Sequence, residues 1–379
     1  MKRTNLLCLA LGLVLSTLGC QPSATKNAAG DADSSAAVNG GALATVADTN
    51  ISQEAKFFTL KNGKGMKATF TNFGARIVSL FVADKQGKMT DVVLGFDDAA
   101  LYNNPEEPYF GTIVGPFGNR IAKGKFTLDS TTYTLPTNNG PNTLHGGFKG
   151  VHFALWNATQ TDDQTVTFTY TLPDGNEGFP GNIKMTVAYS LNDANELSIN
   201  YQAISDKNTV INLTNHAYFN LNGEGKSSIL NHSLKLYADK YTPVDSTLIP
   251  TGQLATVKGT PFDFTTAKRI GRDIDEVNTQ LKYGKGYDHN FVLNGTVVHD
   301  YNYAASVVGD LSGIKMDIYT KEPGIQFYSG NFMAEKVTLK SGVKDSFRTG
   351  FCLEPQHFPD SPNQPQFPST RLNAGDTYT

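Results

Sequence analysis

Apolar side chains recur at every second position in this chain, and this alternation restricts the folds open to it. Residues 166–170 read Val-Thr-Phe-Thr-Tyr, and residues 185–191 alternate in the same way. Residues 192–195 (Asn-Asp-Ala-Asn) are typical of a turn, and the alternation resumes over 196–201. Because side chains on a strand point alternately to opposite faces, this stretch predicts an antiparallel hairpin. Further strands are predicted at 68–70, 76–82, 210–213 and 316–319.

Composition agrees with a chain built from strands and turns. The 36 glycines and 17 prolines favour turns over long helices, and helical candidates are few and short, such as the stretch after Gly271. We therefore predict an all-β fold, a large antiparallel β-sandwich. A length of 379 residues alone suggests two or three domains. No linker interrupts the strands after residue 55, so residues 53–379 are interpreted as one domain.

The amino terminus has the pattern of an export signal. Lys2 and Arg3 precede an apolar run, residues 6–18, that is too short for an ordinary membrane-spanning helix. The run ends at Gly19-Cys20, which resembles the cleavage site of bacterial lipoproteins. Residues 1–20 are therefore interpreted as a lipoprotein-type signal peptide with Cys20 as the lipidation site, and ordinary secretion is the alternative.

The predicted destination follows from that signal. We expect an exported protein, anchored to a membrane through its lipid and facing the periplasm or the cell exterior. Residues 21–52 are rich in Ala, Ser, Gly, Asn and Asp and contain no aromatic residue. Such a segment buries too little apolar surface to offset its ordering entropy, so it is interpreted as a flexible tether.

Charge and cysteine content exclude several classes of protein. Lys and Arg number 32 and Asp and Glu 35, for a formal net charge of -3, so a nucleic-acid partner is not expected. Cys352 is flanked by Phe351 and Leu353 and is interpreted as a buried apolar residue. No Cys or His spacing typical of a metal site occurs, although distant residues can still meet in space.

Five segments interrupt the alternation with side chains suited to binding or catalysis. They are 118–121, 142–147, 214–221, 287–291 and 353–360. Taken singly, each has a structural interpretation: a paired arginine, a turn histidine, a core histidine, a turn-capping aspartate or the end of a buried strand. A buried carboxylate needs a partner or a function, which makes the last segment the most informative.

Taken together and in this order, the segments resemble the aldose 1-epimerase family, also called galactose mutarotases. The matching motifs read N-R, H-G-G, N-H-x-Y-F-N-L, Y-D-H-N-F and L-E-P-Q-H-F-P-D-S-P-N. Further matching stretches are 72–75, 93–96, 174–181 and 323–328. The resemblance runs from about residue 55 to the end of the chain, and it implies a galactose mutarotase-like supersandwich.

The resemblance also implies a role for each matching residue. Glu354 matches the general base of the family and His216 its general acid. Matching the sugar-hydroxyl contacts are Asn119, Arg120, His145, Asp288 and Gln326. Phe179 is as well explained by the core as by a sugar. Family members continue past the stretch that matches 372–376 into another strand, so we expect this chain, which ends at Thr379, to lack an edge strand.

Mutarotation suits an acid and a base that need no cofactor. One group removes the proton of the C1 hydroxyl while the other protonates the ring oxygen, and no net redox change occurs. Glutamate, with an ordinary pKa of ~4.3, is ionised near neutral pH. Histidine, at ~6.5, becomes a good acid after a modest upward shift of its pKa, which Asp288 or Glu354 is expected to supply.

Other functions fit part of the pattern. A sugar-binding lipoprotein without turnover uses the same hydroxyl contacts but does not need both Glu354 and His216. A glycosidase using Asp288 and Glu354 needs two carboxylates ~5 Å or ~6.5–9.5 Å apart. Epimerisation of a phosphorylated hexose needs further basic residues. The sequence therefore favours anomer interconversion, with sugar binding alone as the alternative.

Overall fold

The chain folds into antiparallel strands joined by short turns. The computed structural model describes residues 54–106 and 109–379. The strands of the first half are β1 (Phe57–Lys61), β2 (Lys67–Thr71), β3 (Arg76–Ala83), β4 (Met89–Asp91), β5 (Ile113–Val114), β6 (Arg120–Ile121), β7 (Lys125–Leu128), β8 (Thr131–Thr134), β9 (Thr143–Leu144), β10 (Asn157–Gln160), β11 (Thr165–Leu172), β12 (Ile183–Leu191) and β13 (Leu197–Ser205). Those of the second half are β14 (Thr209–Val210), β15 (Thr214–Asn215), β16 (Ser233–Leu236), β17 (Lys240–Tyr241), β18 (Ala255–Thr256), β19 (Lys268–Arg269), β20 (Asp288–Val292), β21 (Val297–Val298), β22 (Tyr301–Val308), β23 (Lys315–Thr320), β24 (Gly324–Tyr328), β25 (Cys352–Gln356), β26 (Arg371–Leu372) and β27 (Thr377–Tyr378).

Helical segments are short in the same ranges. The α-helix α1 (Thr279–Gly284) begins after Asn278, whose side chain accepts hydrogen bonds from the main-chain N–H groups of Gln280 and Leu281. The 3-10 turns are Ala99–Tyr102, Ala122–Gly124, Val151–Phe153, Asn176–Gly178, Ile229–Asn231, Ile270–Arg272 and Ser361–Asn363. The helical stretch predicted after Gly271 therefore corresponds to one 3-10 turn and to α1.

The strands assemble into four larger sheets and several two-strand ladders. Their orders are β1-β2-β3-β4, β10-β11-β12-β13-β27, β19-β16-β22-β21 with β23 also on β22, and β18-β17-β20-β24-β25. The two-strand ladders are β14-β26, β15-β5, β6-β9 and β7-β8. All of these strand pairings are antiparallel, as the hairpin pattern predicts.

The best predicted hairpin joins β12 to β13. Met185, Val187 and Tyr189 on β12 are fully buried, whereas the residues between them are partly exposed. At the turn, the Asn192 side chain accepts hydrogen bonds from the N–H groups of Ala194 and Glu196. Local alternation and local turn chemistry therefore determine this element.

Two sheets pack face to face through aromatic side chains, which makes the fold a sandwich. Phe70 of the first sheet has its ring centroid 4.4 Å from that of Tyr189 in the second. Phe58 meets Phe168 edge to face at 5.7 Å. Such rings bury large apolar areas, and replacing a buried phenylalanine by alanine costs about 3–5 kcal/mol. Phe179 is also fully buried in a core cluster, in line with its structural interpretation.

One predicted strand is wrong in extent. Of the stretch 210–213, only Val210 belongs to a strand, β14 (Thr209–Val210) of the ladder β14-β26. The main chain of Asn212 instead bonds across to the loop before β6, accepting from Gly118 N–H and donating to the Pro116 carbonyl. A polar residue with a partner in a distant loop therefore ends the strand that the apolar neighbours predict.

Of the two chain ends, the structure describes only the carboxy-terminal one. The predicted signal peptide, Cys20 and the tether lie outside the described residues. At the other end, β27 pairs with β13 as the edge strand of its sheet. In the part of the chain that the structure describes, no helix is long and apolar enough to cross a membrane.

Candidate active site

Three neighbouring strands of one sheet carry polar side chains into the interior. On β20, β24 and β25, Asn290 lies opposite Gln326, and Gln326 lies opposite Glu354. Asp288 is two residues before Asn290, so it shares the same face of the sheet. Gln326 donates from Nε2 to Oδ1 of Asp288 at 2.7 Å. This sheet therefore aligns all the predicted site residues of the second half of the chain except His216.

His216 faces Glu354 from a separate ladder. It follows β15, and hydrogen bonds of its main chain to Gly111 and Thr112 hold it in place. Its Nε2 lies 3.7 Å from Oε1 of Glu354, and both side chains are buried. Its Nδ1 lies 3.5 Å from Sγ of Cys352. Cys352 is fully buried, as predicted, and packs beside the imidazole of His216.

The ladder β6-β9 brings Asn119, Arg120 and His145 to the same place. Arg120 lies opposite Leu144 in the ladder, and the main-chain N–H of Asn119 donates to Nδ1 of His145 at 3.1 Å. Next to it, Gly146 has a φ of 84°, and a Cβ there would lie 2.0 Å from the Gly115 carbonyl oxygen. The H-G-G motif therefore serves a close approach of two backbone segments.

Arg120 and Asp288 join the two halves of the site. The guanidinium NH2 of Arg120 lies 3.8 Å from Oδ2 of Asp288, and its Nε donates to Oδ1 of Asn139 at 3.1 Å. Both members of the pair are buried. An arginine held in this way keeps its guanidinium donors beside Asp288.

These residues surround a cavity of about 640 Å³. The predicted residues in its wall are Asn119, Arg120, His145, His216, Asp288 and Glu354. Gln326 is not part of the wall, because it lies behind Asp288. Its assignment as a direct sugar contact remains a prediction, and the structure gives it a contact to Asp288 instead.

Sequence reasoning missed Tyr109, which packs at the centre of the histidines. Its ring centroid lies 4.7 Å from that of His145, 5.2 Å from that of His152 and 5.5 Å from that of His216. Tyr109 lines the cavity and precedes Phe110, a core residue. Tyr109 and Phe110 form an aromatic pair at the start of a largely apolar segment, a pattern typical of core residues. The sequence therefore contains no feature that distinguishes Tyr109 from a core residue.

Burial changes the proton affinity of the central pair. Desolvation, followed by the charge of Asp288, raises the pKa of Glu354 well above its usual range, although Arg120 opposes the shift. Desolvation lowers the pKa of His216 to about 4. The expectation that a carboxylate raises the pKa of His216 is therefore wrong, because the cost of burying the charged imidazole dominates the shift.

Two further groups are shifted by the same cause. Desolvation, with smaller contributions from the charges of His216 and Arg120, lowers the pKa of His145 well below its usual value. Desolvation raises the pKa of Asp288, while Arg120 and the hydrogen bond from Gln326 oppose it. Several shifted pKa values in one cavity are typical of a catalytic site.

Among the described residues, one group of side chains could hold a metal ion. It consists of His145, His216 and Glu354, whose potential ligand atoms all lie within 4.8 Å of one another. The donor chemistry argues against it. Since the N–H of Asn119 donates to Nδ1 of His145, the neutral ring carries its proton on Nε2, where it is a donor and not a ligand. Only two ligands then remain.

A cavity walled by imidazole, carboxylate and guanidinium groups suits a small ligand rich in hydroxyls. A large antiparallel sandwich around such a cavity is the architecture that the resemblance to galactose mutarotase-like sugar isomerases implies. The chain belongs to the aldose 1-epimerase family, because the sequence model of that family matches residues 56–379.

Individual relatives agree with the family. The galactose mutarotase of Bos taurus is 44% identical over 313 residues, which are 83% of this chain and 89% of that protein. The aldose 1-epimerase of Escherichia coli (strain K12) is 37% identical over 329 residues, 86% of this chain and 94% of that protein. The predicted family is therefore confirmed over most of the chain.

Solved structures confirm the fold. An aldose epimerase homologue from C. elegans superposes with a TM-score of 0.77 at 32% identity and covers 86% of this chain and 96% of its own. The galactose 1-epimerase of Lactobacillus acidophilus NCFM has a TM-score of 0.73 at 28% identity with the same coverages. The all-β sandwich predicted from the alternation is the fold of these proteins.

Proposed function

We propose that this enzyme interconverts the α and β anomers of free hexoses such as glucose or galactose, with Glu354 and His216 as its proton-transfer groups. One observation carries the proposal. Oε2 of Glu354 is buried and has no hydrogen-bond partner among the described residues, while Oε1 faces Nε2 of His216. A buried carboxylate oxygen without a partner is costly, and a substrate hydroxyl in the cavity removes that cost.

Ring opening uses the two groups together. Ionised Glu354 accepts the proton of the C1 hydroxyl while protonated His216 donates to the ring oxygen, and the C1–O5 bond breaks to give the aldehyde. Rotation about C1–C2 presents the other face of the carbonyl. Protonated Glu354 and neutral His216 then act in the reverse sense and close the ring. Each positioned group contributes about 10²–10⁴ in rate.

The shifted pKa values indicate which member of the pair holds a proton more tightly. Because the pKa of Glu354 is raised and that of His216 is lowered to about 4, a single proton held by the pair lies mainly on the carboxyl group. This is the protonation state that accepts the open-chain sugar. Ring opening uses the other tautomer of the pair, in which the proton lies on His216. A sugar hydroxyl that donates to the ionised Glu354 stabilises this tautomer.

The remaining polar residues of the wall fit the hydroxyls of a sugar. Arg120 supplies guanidinium donors, Asp288 a carboxylate acceptor and His145 an Nε2–H donor. The cavity therefore offers both donors and acceptors, as a ring bearing several hydroxyls requires. The reaction changes no oxidation state, so these residues are sufficient for it without a cofactor.

Polarimetry on freshly dissolved α-glucose and α-galactose tests the proposal. The purified protein is expected to accelerate the approach to the equilibrium rotation well beyond the buffer rate. Absence of acceleration with either sugar would overturn the enzymatic function. Saturable sugar binding without acceleration would instead support the alternative, a binding protein that uses the same side chains.

We also propose that the enzyme is exported as a lipoprotein. Lys2, Arg3, the apolar run of residues 6–18 and Gly19-Cys20 support this proposal. The tether-like composition of residues 21–52 supports it further, since it would separate a folded enzyme from the membrane surface. The enzyme would then act on sugars outside the cytoplasm.

Metabolic labelling tests the anchor. Full-length protein expressed in a bacterium with radiolabelled palmitate is expected to incorporate label and to sediment with membranes. The variant Cys20→Ala is expected to lose both properties while its sugar turnover is retained. Equal labelling of the two proteins, or release of the unchanged protein into the soluble exported fraction, would rule out lipidation at Cys20.

A further inference from the structure

Gln356 lies directly behind the sugar-binding wall, and no role has been assigned to it so far. It is two residues past Glu354 on β25, so it shares the inward face of the strand. The side chain is fully buried, and its Nε2 donates to Oδ1 of Asn290 at 3.1 Å and to Oε1 of Gln326 at 3.3 Å. One bond reaches the adjacent strand β24, and the other reaches β20, the next strand beyond it in the same sheet.

A chain of side-chain amides passes through Gln356. On one side, Nδ2 of Asn119 donates to Oε1 of Gln356 at 3.4 Å. On the other side, Gln326 donates from Nε2 to Asp288 at 2.7 Å. Each amide thus accepts on its oxygen and donates from its nitrogen toward Asp288, and we call the chain Asn119–Gln356–Gln326–Asp288 the amide relay.

Asp288 determines the direction of the relay. An ionised carboxylate only accepts hydrogen bonds, so Gln326 must turn its NH2 group toward Asp288 and its oxygen toward Gln356. A reversed Gln326 would oppose its oxygen to the carboxylate and its NH2 group to the NH2 group of Gln356. The relay is therefore satisfied in one direction only.

Strand β24 lies between Asn290 on β20 and Gln356 on β25, and a glycine on it leaves room for the hydrogen bond between these two side chains. Gly324 on β24 lies opposite Gln356. A Cβ at Gly324 would come within 2.6 Å of Oδ1 of Asn290, the atom that accepts from Gln356. Because φ of Gly324 is not in the left-handed region, close approach is the reason for glycine at this position.

We propose that Gln356 is a positioning residue that orients the Gln326 amide and, through it, the Asp288 carboxylate that binds the sugar. The proposal rests on the function proposed above. Gln356 touches no substrate, since it is not part of the cavity wall. Its effect is on the orientation of a sugar contact, so it is expected to change KM more than kcat.

The variant Gln356→Glu tests the direction of the relay. The new carboxylate faces the oxygens of Asn290 and Gln326, so Gln326 is expected to turn its NH2 group toward residue 356 and its oxygen toward Asp288. KM is expected to rise about tenfold or more while kcat stays within about threefold of the wild-type value. Gln160→Glu, which makes the same charge change at an exposed position, is expected to change neither constant.

A double-mutant cycle distinguishes orientation from general damage. In Asp288→Asn, residue 288 offers an NH2 group that can donate to a reversed Gln326, so the relay is satisfied in the opposite direction when Gln356→Glu is also present. The loss in kcat/KM for the double variant is expected to be at least about fivefold smaller than the product of the single losses. Multiplicative losses would overturn the proposal.

The remaining outcomes are also decisive. Inactive wild-type protein would overturn the proposed function and, with it, the positioning role of Gln356, whereas active wild-type protein without the expected KM effects would overturn the positioning role alone. If Gln356→Glu does not fold, Gln356→Met removes both donors without a charge, and its effect on KM is expected to disappear in the Asp288→Asn background. A KM effect of Gln356→Met that is equally large in both backgrounds would refute the relay while the enzymatic function stands.

Discussion

Oε1 of Glu354 lies 3.7 Å from Nε2 of His216, and the two side chains are shielded from solvent. At this separation, and in this environment, the protonation of one group depends on that of the other. Burial favours the neutral form of both, so the pair retains one proton. The chemistry of the site follows from where that proton resides when a sugar is bound.

Removing either member of the pair is expected to lower the rate by at least about 10²-fold. Glu354→Gln keeps the shape of the side chain but cannot accept a proton, and His216→Asn cannot donate one to the ring oxygen. The rate constant of mutarotation by polarimetry is the measurement. Glu224→Gln is a matched control, because it alters a buried carboxylate that pairs with Lys340 outside the sugar cavity. Wild-type turnover by either pair variant would refute the assigned roles.

The acid limb of kcat/KM is expected near pH 4 and not near 6.5. This constant reports ionisations of the free enzyme, and desolvation lowers the pKa of His216 to about 4. Below that pH the pair carries two protons and Glu354 can no longer accept one. Above the raised pKa of Glu354 the pair has lost its shared proton, so activity falls again. An acid limb close to 6.5 would contradict a buried, neutral His216.

Glu354→Gln is expected to stabilise the fold while it lowers the rate. Below the ordinary pKa of a glutamate, folded and unfolded chains both hold a neutral carboxyl group, so ionisation makes no difference. As pH rises, the unfolded chain ionises first, because burial raises the pKa of Glu354 in the folded chain. The gain of the variant in free energy of unfolding should therefore grow with pH and then level off above the raised pKa. Denaturant unfolding at several pH values measures it, and a gain that shrinks as pH rises would contradict this account.

Sequence reasoning predicted what depends on local pattern. The hairpin β12-β13 follows from alternation and from the turn chemistry of Asn192. Glu354 stood out because a carboxylate at the end of the apolar run Phe351-Cys352-Leu353 needs a partner or a function. In each case the signal lies within a few residues of the feature.

The parts that depend on distant contacts were not predicted. The direction of the pKa shift of His216 depends on burial by segments far apart in the chain, and the sequence shows only that carboxylates exist. Gln356 belongs to a matched motif, but its role depends on contacts with Gln326 on the adjacent strand β24 and with Asn290 on β20 beyond it. The role of Asn212 in ending a strand likewise depends on the loop at Pro116.

Two variants of His145 are expected to separate its two nitrogens. In His145→Asn, the side-chain oxygen can take the place of Nδ1 and accept from Asn119 N–H, but the distal donor is lost. His145→Gln keeps a distal donor and leaves that N–H without its acceptor. We expect the asparagine variant to keep its stability and raise KM, and the glutamine variant to lose about 1–3 kcal/mol of unfolding free energy. Equal stability of the two would show that the bond to Asn119 is unimportant.

Arg76 is expected to control both the backbone and the pKa of His216. It is fully buried and donates to the carbonyls of Phe73, Phe110 and His152, and its charge lowers the pKa of His216 after the larger effect of desolvation. Arg76→Met removes the donors and the charge, so stability should fall by about 3–5 kcal/mol and the acid limb of kcat/KM should move to higher pH.

Arg76→Lys separates the two effects of this residue. The lysine keeps a positive charge but cannot serve three carbonyls in the geometry of a guanidinium. The variant should lose stability like Arg76→Met, while its acid limb stays close to that of the wild type. Denaturant unfolding and the pH profile of kcat/KM provide the two measurements. If both variants shift the acid limb equally, the charge of Arg76 does not act on His216, and the shift reflects backbone displacement under the segment from Phe110 to Thr112.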